Sequence, residues 1–116
     1  MARLYQQSLT VYWLSLMQRN FKRERLANGE TFTTSEKGNS MTPLISSGQD
    51  HILKPAYWQE CEVGDIVYCK VRGSYMTHLV KAKNEKQGCL IGNNHGKING
   101  WTKQVFGKVI EIINGK

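Results

Sequence analysis

Gly38-Asn39-Ser40-Met41-Thr42-Pro43 sets a serine on a tight connection between a polar loop and a strand-like run. The glycine relieves crowding there, so the Ser40 hydroxyl can be presented while the backbone N–H groups around Asn39 and Ser40 stay available for an oxyanion. Alone, a G-x-S is a weak signal, because serines after a loop glycine commonly make turn hydrogen bonds and nothing more. The weight of Ser40 as a candidate nucleophile therefore depends on the rest of the chain.

Downstream of it, short apolar runs are punctuated by glycine. Strands are expected at His51 to Lys54, Asp65 to Val71, Tyr75 to Lys83, Cys89 to Ile91 and Val105 to Ile113, divided by Gly64, Gly73-Ser74, the Asn84 to Gly88 turn and a Gly92 to Gly100 loop. Such spacing predicts a mainly β fold, a compact bent sheet or barrel. Upstream, Tyr5, Leu9, Trp13, Leu16 and Met17 recur at intervals of three and four, which predicts an amphipathic helix over about residues 4 to 26, stopped by Asn28-Gly29. The expected organisation is helix and linker over 1–30 and a β domain over 31–116.

Composition narrows the function classes. The chain of 116 residues suits one core rather than two. Three cysteines, Cys61, Cys69 and Cys89, are odd in number and form no C-x-x-C, so neither a disulfide framework nor a zinc knuckle is supported, and they read as reduced thiols. No metal or other cofactor is expected. The apolar stretch Leu9 to Met17 falls well short of the roughly 20 residues of a membrane helix, and no small-residue cleavage pattern follows it. A soluble, cytoplasmic protein is expected. Sixteen Lys+Arg against nine Asp+Glu give a formal charge of +7, which favours acidic partners or nucleic acid. Arg19, Lys22, Arg23 and Arg25 form the densest basic patch. They compensate the helix dipole or contact a protein or nucleic acid.

The ordered set carries more than any one motif. G-x-S-M-x-P at 38 to 43 is followed by Gly48, Val63-Gly64-Asp65-Ile66-Val67, Thr77-His78-Leu79-Val80, Ile91-Gly92-Asn93-Asn94 and Gly107-Lys108-Val109. Over residues 36 to 113 this succession resembles the signal-peptidase/LexA-like serine peptidases. The resemblance implies a serine nucleophile at Ser40. It also implies a base on a later strand, lysine in many members and histidine in the archaeal and endoplasmic-reticulum signal peptidases, the position that His78 matches. Where the histidine-type enzymes carry G-D-N, this chain has Gly92-Asn93-Asn94, so Asn93 is the residue expected to orient the imidazole, without the charge of a carboxylate. The string I-G-N-N-x-G-x-x-N-G-W, with Asn94, Gly96, Asn99 and Trp101 as candidate binding-loop residues, is similar to that of small phage and bacterial proteins sharing the peptidase fold. A phage- or prophage-encoded protein acting in a bacterial host is the corresponding expectation.

Strand alternation favours His78 over the neighbouring lysines. Met76, His78, Val80 and Ala82 are expected on one face, Tyr75, Thr77, Leu79, Lys81 and Lys83 on the other. An imidazole is mostly neutral near pH 7, whereas a lysine base must first be desolvated. His78 can also be simply a hydrogen-bonded strand histidine. His51, in the first strand after Ser40, and His95, in a Gly/Asn-rich loop, are weaker candidates. Two functions follow: a soluble Ser/His peptidase acting on a peptide or protein, with self-processing at Ala27-Asn28-Gly29 within reach, or a non-catalytic regulator of the same fold that binds a protein or nucleic acid through its basic surface. Oligomeric state is not legible.

Overall fold

A computed structural model describes residues 21–114. Residues 21–27 are helical, and Gly29, at φ 86°, closes the segment: Glu30 N–H donates to the Arg25 carbonyl and Gly29 N–H to that of Leu26, each at 3.0 Å. This paired closure needs a left-handed residue, which glycine adopts without a Cβ clash. Leu26, 2% exposed, packs on Phe32, Leu53 and Tyr68 and so ties the helix to the sheet. The upstream part of the expected helix, with Tyr5, Leu9, Trp13, Leu16, Met17 and Arg19, lies outside the described residues.

The fold is mainly β. Strands β1 (Phe32–Thr34), β2 (His51–Pro55), β3 (Ile66–Val71), β4 (Ser74–Asn84), β5 (Gly88–Gly92), β6 (Ile98–Thr102) and β7 (Val105–Ile112) form one antiparallel sheet in the order β1-β2-β7-β3-β4-β5-β6. Five of them match the expected strands. The other two, β1 and β6, were not anticipated, and β6 occupies part of what reads as the 92–100 loop. The sheet does not close into a barrel, because β1 and β6 remain its two ends. It bends nonetheless, through register shifts in four of its pairings, and β6 leans over β3, with Thr102 Oγ1 donating to the Lys70 carbonyl at 2.7 Å.

Both faces of the central strands are covered, which is why Ile66-Val67-Tyr68-Cys69 is apolar without alternation. Val67, Cys69 and Val71 meet Val80, Cys89, Ile91 and Val105 on one face. On the other, Tyr68 joins Leu26 and Leu53 while Ile66 joins Met41 and Ile45. The three cysteines are free and buried in or beside this core. Burial pushes the Cys61 and Cys69 thiols up to about 12, so they stay protonated and unreactive near neutral pH. No helix among the described residues is long and apolar enough to cross a membrane.

Candidate active site

The turn that carries Ser40 is pinned from beneath. Ile45 N–H donates to the Met41 carbonyl at 3.1 Å, one helical turn, and both side chains are buried against Ile66. With Met41 drawn into the core, its neighbour Ser40 remains on the surface. The Ser-Met pairing thus combines an anchor with an exposed hydroxyl.

Ser40 Oγ lies 3.0 Å from Nε2 of His78, 38 positions along the chain. His78 sits in β4 opposite Val67, on the face of the sheet that also carries Met76 and Val80, as strand alternation requires. Its Nδ1 is 2.8 Å from Oδ1 of Asn99. An amide oxygen only accepts, so Nδ1 carries the proton, and Nε2 is left bare to accept the Ser40 hydroxyl. Asn99 therefore selects the tautomer that a general base needs.

Asn93 does not take this position. Its Oδ1 accepts the N–H groups of His95 and Lys97, at 2.8 and 3.0 Å, and closes the turn between β5 and β6. The partner of His78 comes instead from β6, two strands away from β4. Ile91 pairs with Gly100 and Gly92 with Ile98, so Asn99 is an extra residue in the ladder, a bulge. Bulges re-aim side chains, and here the re-aimed amide reaches across β5. The sequence signal was the glycine at 100, since a lone glycine in a strand-like run marks a bulge.

A second bulge, between Val80 and Ala82, revises the expected facing of β4. Beyond it Ala82 pairs with Leu90 and Lys83 with Cys89, so Ala82 leaves the His78 face and Lys83 enters it. Lys83 is nevertheless remote from Ser40: its ammonium donates to the Gln59 and Cys61 carbonyls at 2.7 and 2.6 Å.

The turn after β5 clasps the segment around Ser40. Asn94 N–H donates to the Ser40 carbonyl at 2.9 Å, Asn94 Nδ2 to the Thr42 carbonyl at 2.9 Å, and His95 Nε2 lies 3.0 Å from both the Asn39 carbonyl oxygen and Thr42 Oγ1. Gly96 is the exposed left-handed residue of this turn, at φ 91°. Trp101 is half-buried in β6 opposite Leu90, part of the sheet rather than of a binding loop.

Upstream of Ser40, Glu36 fastens the loop to β4. Its Oε2 accepts Lys22 Nζ and Thr77 Oγ1, both at 2.6 Å, and Thr77 is the neighbour of His78. Burial alone would raise the Glu36 pKa, but the Lys22 charge and the two hydrogen bonds outweigh it and hold the carboxyl below its ordinary value. His51 is buried at 1% exposed. With Glu36, Ser40, Met41, Ile45 and Thr77 it lines a cavity of about 30 Å³.

The basic patch is largely engaged inside the molecule. Besides Lys22 on Glu36, Arg25 pairs with Glu30 at 2.9 Å and covers the Phe32 ring, while Arg23 bonds the Tyr75 hydroxyl at 2.9 Å and lies over Phe106. The Ala27-Asn28-Gly29 segment is folded into the helix cap rather than extended. Among the described residues no group of three His, Cys, Asp or Glu gathers to hold a metal. The chain matches no family model and no curated protein.

Proposed function

We propose that this chain is a serine hydrolase of the peptidase type, in which Ser40 is the nucleophile, His78 the general base and Asn99 the residue that positions the imidazole. One observation carries the reading: a hydroxyl and two nitrogens of one ring are aligned from Ser40 Oγ to Nε2 and from Nδ1 to Asn99 Oδ1 at 3.0 and 2.8 Å. Nucleophile, base and orienter within hydrogen-bond reach is the general signature of an activated serine.

In the reaction, Ser40 Oγ bonds to the carbonyl carbon of a peptide as its proton passes to Nε2. The developing oxyanion is met by backbone N–H donors of the 39–41 turn. Collapse of the tetrahedral adduct breaks the C–N bond, and the amine leaves with the proton from Nε2. Water then cleaves the acyl–Ser40 ester by the same proton path in reverse. Asn99 has no charge to give the imidazolium, so slow turnover is expected of this site compared with one that carries a carboxylate.

The resemblance to signal-peptidase/LexA-like peptidases supports a peptide or protein substrate, and its phage and bacterial members support a phage-encoded cytoplasmic setting. Peptide-library turnover and intact mass, followed for wild type, Ser40→Ala and His78→Ala, test the reading. Cleavage by wild type that both variants lose is the expected result. Identical behaviour of all three removes the catalytic claim.

A further inference from the structure

The hydrogen bonds on the Asn39–Ser40 peptide point beyond the dyad. The Asn39 carbonyl oxygen accepts from Thr42 N–H at 3.2 Å and from Thr42 Oγ1 at 2.9 Å, and His95 Nε2 stands 3.0 Å away. The peptide unit is trans and planar, so its C=O and the Ser40 N–H point in opposite directions. The next peptide is held in the same sense, because the Ser40 carbonyl accepts from Asn94 N–H. Anchoring both carbonyls against the 93–97 turn directs the Ser40 and Met41 N–H groups away from it.

We infer that His95 is a positioning residue for the oxyanion site: by donating from Nε2 to the Asn39 carbonyl it fixes and polarises the Asn39–Ser40 peptide, whose N–H stabilises charge on the reacting carbonyl oxygen. This rests on the proposed Ser40 chemistry and adds to it a residue that touches neither the substrate nor His78. The physical basis is twofold. Three contacts on one carbonyl leave the peptide little freedom to rotate, and hydrogen bonds accepted at C=O strengthen donation from the N–H of the same unit. Donors held in place before the reaction are what an oxyanion site requires. Thr42 Oγ1 already donates to Asn39 and so can only accept from His95, which leaves the Nε2–H shared between the Asn39 carbonyl and Thr42 Oγ1.

A fluorophosphonate probe tests this on the full chain. Ser40 Oγ forms a bond to phosphorus, the P–F bond breaks, fluoride leaves and the hydroxyl proton goes to His78 Nε2; the phosphoryl oxygen carries the charge that the site must hold. Rates of inactivation and apparent probe affinity are measured for wild type, His78→Ala, His95→Ala and His95→Gln, with thermal melts to confirm folding. The His95→Ala variant is expected to lose roughly 10-fold in the maximal inactivation rate, less than the 100-fold or more that follows direct loss of an oxyanion donor, with probe affinity unchanged. Glutamine, which can donate from a similar position, is expected to recover most of the rate.

The Ser40 amide proton shift, read by NMR in the same proteins, supplies a readout that needs no reaction. It is expected to move upfield in His95→Ala and back in His95→Gln. Labelling that depends on His78 but not on His95, or an amide shift that ignores His95, overturns the inference while leaving the dyad standing. Absence of Ser40 labelling in wild type overturns the dyad, and with it the oxyanion role of His95, whatever the amide shift.

Discussion

Asn99 Oδ1 stands 2.8 Å from His78 Nδ1 although the two residues belong to β6 and β4, with β5 between them. Only an irregular ladder allows this reach, and the Ile91/Gly92 bulge provides it. If the contact sets the tautomer, Asn99→Ala should lower turnover in the proposed hydrolysis roughly 10- to 100-fold through misplacement of the imidazole, while Asn93→Ala, which loses only turn contacts, should cost much less. Asn99→Asp should do the opposite of alanine. A carboxylate at that position stabilises the imidazolium, so turnover should rise and the acid limb of its pH profile should move to higher pH. Steady-state rates across pH for the three variants decide the matter, and equal loss in Asn93→Ala and Asn99→Ala would count against it.

Gly100 is where that bulge is exposed to mutation. It sits at φ 139°, and a Cβ there would meet Val71 Cγ1 at 3.2 Å and Arg72 Nε at 3.3 Å. Gly100→Ala is expected to destabilise the fold by about 1–3 kcal/mol from backbone strain, and to displace Asn99 from His78 in the variant that folds. Urea unfolding measures the first effect. A histidine Nδ1 resonance that loses its hydrogen-bond shift reports the second.

Much of the β architecture is legible in the sequence because β2, β3, β4, β5 and β7 are apolar runs bounded by glycine, asparagine or lysine-rich turns. Two strands escape for opposite reasons. Phe32–Thr34 is too short to show a period, and Ile98–Thr102 carries Asn99 and Gly100 in its interior, residues that read as a loop. The Ser40–His78 proximity was inferable from the order of motifs, yet the partner of His78 was not, since alternation along one strand says nothing about a bulge two strands away. The facing of Lys83 failed in the same way: one extra residue at Lys81 inverts everything after it.

The Glu36 carboxylate holds Lys22, on the helical segment, and Thr77, on β4, with one oxygen. Both bonds are charge-assisted and partly shielded from water, the range in which a hydrogen bond to a charged group contributes about 1.5–3 kcal/mol. Glu36→Gln should lower stability by an amount within that range, because the amide oxygen keeps an acceptor but not the charge. A double-mutant cycle with Lys22→Met isolates the ion pair. Additive losses would show that Lys22 and Glu36 do not interact in solution.

Acid should weaken the fold in two stages, and their order follows from the buried His51 and the half-buried Glu36. Burial depresses the His51 pKa below its ordinary 6.5, opposed in part by the Gln49 carbonyl and the Glu36 charge. Below about pH 6.5 the unfolded chain therefore binds a proton that the native chain refuses, and stability falls as pH drops. Glu36 follows lower down. Its native carboxyl titrates below 4.5, so its contribution is complete above that value and disappears as pH falls through the native pKa. Urea midpoints measured from pH 7.5 to 3.5 should decline in both windows. In His51→Gln the decline between pH 6.5 and 5 should flatten while the one below 4.5 persists, because glutamine has no proton to gain and Glu36 keeps its larger partners, Lys22 and Thr77. A slope between pH 6.5 and 5 that survives the substitution would overturn the assignment of the first stage to His51.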